Sequence, residues 1–200
     1  MEMKNPNYYD ARVGDVVHVR TSNFYGKLIR KCLPGSWGNH DGTLVKTSDG
    51  WGVAEALLSP GFVITPWKSY QKRAEKDKVS IVFLRIKDTE HDMNVELGKK
   101  VAYFAEDMAF YHIQYDTRAV IGIFFNLIFK RNLKLGKKWK WYCTNSVATH
   151  HYKATEDHRL DVWDWHSSPT PLTTEKRHSM GLLRYVNGVF CKDYPEYVRN

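Results

Sequence analysis

The sequence predicts an α+β domain: a small, mainly antiparallel sheet with helices packed against it. Three observations predict it. Asp15–Arg20 (DVVHVR) follows a Val13-Gly14 turn and carries β-branched residues at strand spacing. Lys78–Lys87 (KVSIVFLRIK) is β-branched, aromatic and flanked by charge, the strongest strand signal in the chain. Asn94–Phe110 instead follows helical spacing, with Val95, Leu97, Val101, Phe104, Ala105 and Met108 near one face.

The remaining elements fit the same class. Thr43–Lys46 and Gly52–Leu57 read as a hairpin turned at Ser48-Asp49-Gly50. Pro60-Gly61 breaks the chain, and Phe62–Thr65 reads as a further short strand. Trp67–Lys76 is polar and reads as a short helix. Ala119–Phe129 (AVIGIFFNLIF) is a buried helix or a strand, since an unbroken apolar run has no diagnostic period. Arg131–Lys140 is basic and loop-like, and Cys143–Lys153 lacks Gly and Pro and can start a helix. Ser167–Pro171 reads as a surface loop, and Leu182–Phe190 as a last strand or a hairpin around Asn187-Gly188.

At 200 residues the chain suits one domain, with a core over about 13–170 and a C-terminal extension over 171–200. Hydrophobic residues make up 42% and aromatics 14%, which excludes disorder over most of the length. A formal charge of +8 favours anionic partners such as a cell-wall polymer, lipid or nucleic acid, without choosing among them. Three cysteines, Cys32, Cys143 and Cys191, are too few and too odd for a disulfide framework, although Cys32 and Cys191 could pair. The N-terminus lacks the apolar core of a signal peptide, so cytoplasmic synthesis is expected, with the final location open. The 11-residue run Ala119–Phe129 falls short of the about 20 residues a transmembrane helix needs.

Cys143 stands just before a helix start, in Trp-Tyr-Cys-Thr-Asn-Ser. A thiol there feels the positive end of the helix dipole, which favours the nucleophilic thiolate. His40, in Gly-Asn-His-Asp-Gly, titrates near neutrality and could serve such a thiol as base and then acid. Glu55, in Val-Ala-Glu-Ala-Leu, is a carboxylate in an apolar strand. It either meets a partner such as an imidazole N–H or points to solvent from an edge strand.

The order of these pieces resembles the circularly permuted branch of the NlpC-type, papain-like amidases, which includes YiiX-like proteins. The matching segments are Gly14-Asp15, His40-Asp41-Gly42, Val53-Ala54-Glu55-Ala56 and Tyr142-Cys143-Thr144, with Tyr115-Asp116 and Ser168-Pro169 in comparable places. The resemblance spans about Gly14 to Pro169. Thr144 stands where that family usually has Ser, and Arg131–Lys140 is more basic than its pattern.

The resemblance implies a single papain-like domain in permuted order. It also implies a thiol-dependent hydrolase with Cys143 as nucleophile, His40 as base and acid, and Glu55 orienting His40. An amide bond, in a peptidoglycan peptide for example, is the implied target. Acyl lipids are the nearest alternative, by hydrolysis or acyl transfer. Asp15 is read as support for the His40 strand or as a turn cap, outside the chemistry.

The stretch 130–142 mixes Lys and Arg with Trp139, Trp141 and Tyr142. Lys140, Trp141 and Tyr142 are the candidate substrate contacts beside Cys143, suited to an anionic peptide or acyl substrate. A rival of another class is a non-enzymatic binder that uses this stretch on membrane or nucleic acid; nucleic acid is not the expected partner. Trp163 and Trp165 could line a groove or fill the core.

No metal or cofactor is expected. His150, His151 and His158 lack zinc spacing, and the first two point about 100° apart on a helix, so they read as surface histidines. Gly35–Gly38 lacks the Lys-Ser/Thr of a phosphate-binding loop.

Overall fold

Among the described residues six strands form one antiparallel sheet in the order β4-β3-β2-β1-β5-β6. The strands are β1 (Val16–Arg20), β2 (His40–Thr47), β3 (Gly50–Ala56), β4 (Phe62–Pro66), β5 (Ser80–Ile86) and β6 (Leu183–Val189). The helices are α1 (Phe24–Cys32), α2 (Trp67–Lys76), α3 (Val95–Phe110), α4 (Thr117–Phe129) and α5 (Cys143–Thr155), with a 3-10 turn at Pro6–Tyr9. The computed structural model describes residues 3–32, 36–77, 79–87, 95–129, 142–157, 159, 174, 177, 180 and 182–189. At 25, 32, 119, 123, 124 and 126–128 only the backbone is described.

Strand alternation sorts the core onto two faces. Val17, Val19, Leu44, Val53, Ile81 and Phe83 face the 3-10 turn and α2, where they meet Trp67 and Tyr70. Val16, Val82 and Leu84 point the other way, against Val101 of α3 and Val147 of α5. Val45 and Ala54 join that second face with Ala102 and Ala105. Gly14 lets α3 approach the entry to β1. It has a positive φ of 90°, and a Cβ there would lie 2.7 Å from the Gly98 Cα.

The α+β class and the mainly antiparallel sheet match the expectation. The hairpin β2–β3 pairs Leu44 with Val53 and turns at Ser48-Asp49. Trp67–Lys76 forms α2 as read, and the ambiguous run at 119–129 is helical. Asn187-Gly188 does not turn a hairpin. Both residues lie within β6, which pairs with β5 through an irregularity at Phe83/Leu84. The stretch set apart as a C-terminal extension therefore supplies a strand of the sheet. Two elements had no counterpart in the reading, α1 and the 3-10 turn.

Among the described residues no helix is long and apolar enough to cross a membrane.

Asp15 sits at the entry to β1, fully buried, and takes a forked pair of hydrogen bonds from Arg85 on β5. Arg85 Nε and Nη2 each reach a carboxylate oxygen at 2.8 Å. Burial pushes the Asp15 carboxyl up, and Arg85 and the Arg12 backbone N–H pull against that. Asp15 thus ties β1 to β5.

Candidate active site

Cys143 is the first residue of α5. Tyr142 before it is extended (φ −114°, ψ 168°), so the chain enters the helix sharply at the cysteine. The first-turn N–H groups of a helix lack intrahelical acceptors, and no side chain caps this end. They leave the Cys143 sulfur at a positive helix terminus. Ser146 Oγ donates back to the Cys143 carbonyl at 2.7 Å and tightens the turn.

His40 opens β2, and its imidazole is half-buried. One ring nitrogen, Nε2, lies 2.8 Å from Glu55 Oε2 on the neighbouring strand. Cys143 lines the same cavity as the ring, and with Nε2 taken by Glu55, Nδ1 is the nitrogen left for the sulfur. Burial alone would pull His40 down, but the bonds to Cys143 and Glu55 outweigh it and raise it to about 10.

Gly42 helps make this contact. It pairs with Glu55 across the β2–β3 ladder, and a Cβ there would come within 2.5 Å of Val53 Cγ1. Its missing side chain lets β2 and β3 pair closely at Glu55.

Glu55 lies in the interior of the sheet, fully buried. It is not on an edge strand and does not point to solvent. Thr65 Oγ1 donates to Oε1 at 2.6 Å, and Arg73 Nη2 of α2 reaches the same oxygen at 2.5 Å. Burial pushes Glu55 up, but His40, Arg73 and Thr65 together hold it below the usual glutamate range. The carboxylate is therefore charged and fixed, with one oxygen committed to the structure and the other to His40.

A second cluster lies one residue along each element. Asp41 Oδ1 sits 2.6 Å from His18 Nδ1, and Oδ2 accepts from Thr144 Oγ1 at 2.6 Å and Thr174 Oγ1 at 2.9 Å. Burial raises Asp41, but His18, Thr144 and Arg177 outweigh it and push the carboxyl far down.

Cys143, His40 and Thr144 open onto a cavity of about 600 Å³. Its walls are mostly apolar, with Leu57 and Leu58 after β3 and Val120 and Ile121 of α4 among them. Arg73 is the one Lys or Arg on the wall among the described residues, and Glu55 already engages it.

Of the expected substrate contacts, Tyr142 lines this cavity. Its hydroxyl is buried and has no hydrogen-bond partner among the described residues. Burial and the nearby Cys143 push that phenol up. Lys140, Trp141, His158, Trp163, Trp165 and Cys191 lie outside the described residues, as does the Cys32 side chain.

His150 and His151 are not surface residues: both are fully buried. α5 packs against α3 on one side and against β2 and β3 on the other, so neighbouring positions 100° apart are both covered. His150 Nδ1 lies 3.0 Å from Thr43 Oγ1, and burial holds it neutral, down to about 3. Among the described residues, no three His, Cys, Asp or Glu side chains gather as a metal site.

The residues that sequence reasoning missed, Arg73, Thr65, His18 and Thr174, act through partners far away in the chain. Asp41 was visible only as a neighbour of His40.

No protein-family model matches the chain, and no curated protein matches it. Among solved structures it is similar to the crystal structure of the metalloprotein yiiX from Escherichia coli O157:H7, DUF1105. The identity is 18%, the match covers 92% of this chain and 98% of that one, and the TM-score is 0.60. At that identity the likeness shows the fold: this chain has a YiiX-like fold.

Proposed function

We propose that the chain is a thiol-dependent hydrolase of the permuted NlpC-type, papain-like class, with Cys143 as nucleophile, His40 as base and acid, and Glu55 as the group that orients His40. The observation that carries the reading is the His40 imidazole bonded to the buried, ion-paired Glu55 on the wall of the cavity that Cys143 also lines.

The chemistry follows from those contacts. His40 takes the thiol proton, and the thiolate attacks the substrate carbonyl. The oxyanion that forms is stabilised by first-turn backbone N–H groups of α5, that of Cys143 foremost. His40 gives its proton to the leaving amine or alkoxide, and a thioester on Cys143 remains. Water then attacks the thioester, passes its proton to His40, and releases the carboxylic acid and the thiol. Glu55 keeps Nδ1 turned to the sulfur and stabilises the imidazolium at each stage.

An amide in a wall peptide and an acyl lipid are both compatible with this chemistry. The apolar cavity at Cys143 favours the acyl substrate. A long acyl chain gains from apolar walls at about 25 cal/mol per Å² buried.

The test uses nitrophenyl esters of short, medium and long acyl chains, beside muropeptides, with wild type and Cys143→Ala. Turnover in the wild type that is lost in Cys143→Ala supports the reading. Full turnover in the variant removes Cys143 from the mechanism.

A further inference from the structure

Neighbouring residues of a strand point to opposite faces of a sheet. His40 and Asp41 open β2, so they divide between the two faces. His40 turns toward Glu55, whose other oxygen is held by Arg73 of α2. Asp41 turns toward α5, on the same face as Thr43, which meets His150 of that helix. Cys143 and Thr144 open α5 in the same way. Two consecutive strand residues thus face two consecutive helix residues: His40 shares the cavity wall with Cys143, and Asp41 accepts from Thr144 at 2.6 Å.

We infer that Asp41 and Thr144 are positioning residues, whose hydrogen bond holds the first turn of α5 against the strand that carries His40 and thereby sets the distance from Cys143 to His40. This rests on the roles proposed above for Cys143 and His40.

The anchor is stiff. Asp41 and His18 stand opposite each other in the β1–β2 register, and Thr174 closes the remaining side. Asp41, His18 and Thr174 are all buried. A buried carboxylate keeps its partners, because leaving one charge unpaired in the interior is costly. His18 and Arg177 offset its negative charge.

Thr144 reaches this anchor from the residue next to the nucleophile, so any slack there is passed directly to the sulfur. A displacement of about 1 Å at a reacting atom can cost about a hundredfold in rate.

Substitution at 144 tests the role: Thr144 Oγ1 lies 4.0 Å from Cys143 Sγ, at the outer limit of a sulfur contact, and the other groups that face the Cys143–His40 pair stay in place. These are Glu55 on β3, Arg73 on α2, Tyr115 before α4, Tyr142 before α5, and His18 and Asp41 on the other face. Thr144→Val keeps the shape and removes the donor, Thr144→Ala removes it without apolar bulk, and Thr144→Ser restores it. Iodoacetamide labelling of Cys143 is followed by peptide mass spectrometry from about pH 4 to 9, spanning ordinary His and Cys titration.

In the wild type, fast labelling well below the ordinary thiol range is expected. Val and Ala should lose about tenfold or more of that acid-side rate and shift the profile toward an ordinary thiol. Ser should recover it to within about twofold. A residue that only supports the fold would lower the melting temperature and leave the profile where it was. An activated wild type with unchanged Val and Ala profiles overturns the positioning role alone. An ordinary thiol in the wild type overturns the proposed function, and this role with it.

Discussion

Glu55 Oε2 lies 2.8 Å from His40 Nε2 across neighbouring strands, while its other oxygen is held by Thr65 and Arg73. The carboxylate cannot turn away without breaking two further contacts. It fixes both the charge and the orientation of the imidazole. Glu55→Gln keeps the shape and loses the charge. It should lower kcat by about a hundredfold or more, the scale of general acid–base catalysis, and bring the His40 titration down from about 10. Ester turnover and a histidine-resolved NMR titration check the two effects. An unchanged His40 titration would show that Glu55 does not act on it.

His40, raised against burial by Cys143 and then by Glu55, also sets a pH dependence of stability. The folded His40 value lies above its unfolded value of 6.5. Its contribution is therefore full below 6.5 and is lost as pH rises toward about 10. Urea midpoints should fall across that alkaline window, and Glu55→Gln should flatten the fall.

His150 behaves in the opposite sense. Burial holds its folded value at about 3, below the unfolded 6.5. The neutral ring's contribution is full above 6.5 and is lost as pH falls toward 3. His151 is lowered too, first by burial and then by Arg177, and adds in the same direction. Stability should drop by up to about 1.4 kcal/mol per pH unit for each histidine below 6.5. His150→Phe should make the acid-side drop shallower in urea unfolding from pH 7 to 5.

Asp15→Ala should cost about 3–5 kcal/mol, because it strands the buried Arg85 guanidinium. Chemical denaturation of the variant measures it. A loss under about 1 kcal/mol would mean that Arg85 finds water instead.

Ile121 and Leu58 line the apolar cavity and are partly exposed at its surface. Ile121→Glu should raise KM for long-chain esters several-fold more than for the acetyl ester. Equal effects on both would remove the cavity as the acyl site.

Much of this architecture was legible because it rests on local signals. Trp67–Lys76, the hairpin around Ser48-Asp49 and the helix beginning at Cys143 follow from turn chemistry and patterning. The helix α1 was not legible: Phe24–Cys32 has a glycine at 26 and no acidic residue in its first turn. Burial of His150 and His151 was hidden for a tertiary reason, since both sides of α5 are covered by other elements. His40, Glu55 and Cys143 were found as motif residues. Their supports, Arg73, Thr65, Asp41 and His18, join them only through strand register and helix docking, which no local pattern carries.

The pairing of Cys143 with His40 is tested most directly by the iodoacetamide labelling rate of Cys143 against pH in wild type and His40→Ala. Fast labelling well below the free-thiol value of about 8.5 is expected in the wild type, lost when the imidazole is removed. Slow labelling that follows an ordinary thiol in both proteins would contradict it, and would turn attention to binding of anionic polymers and membranes.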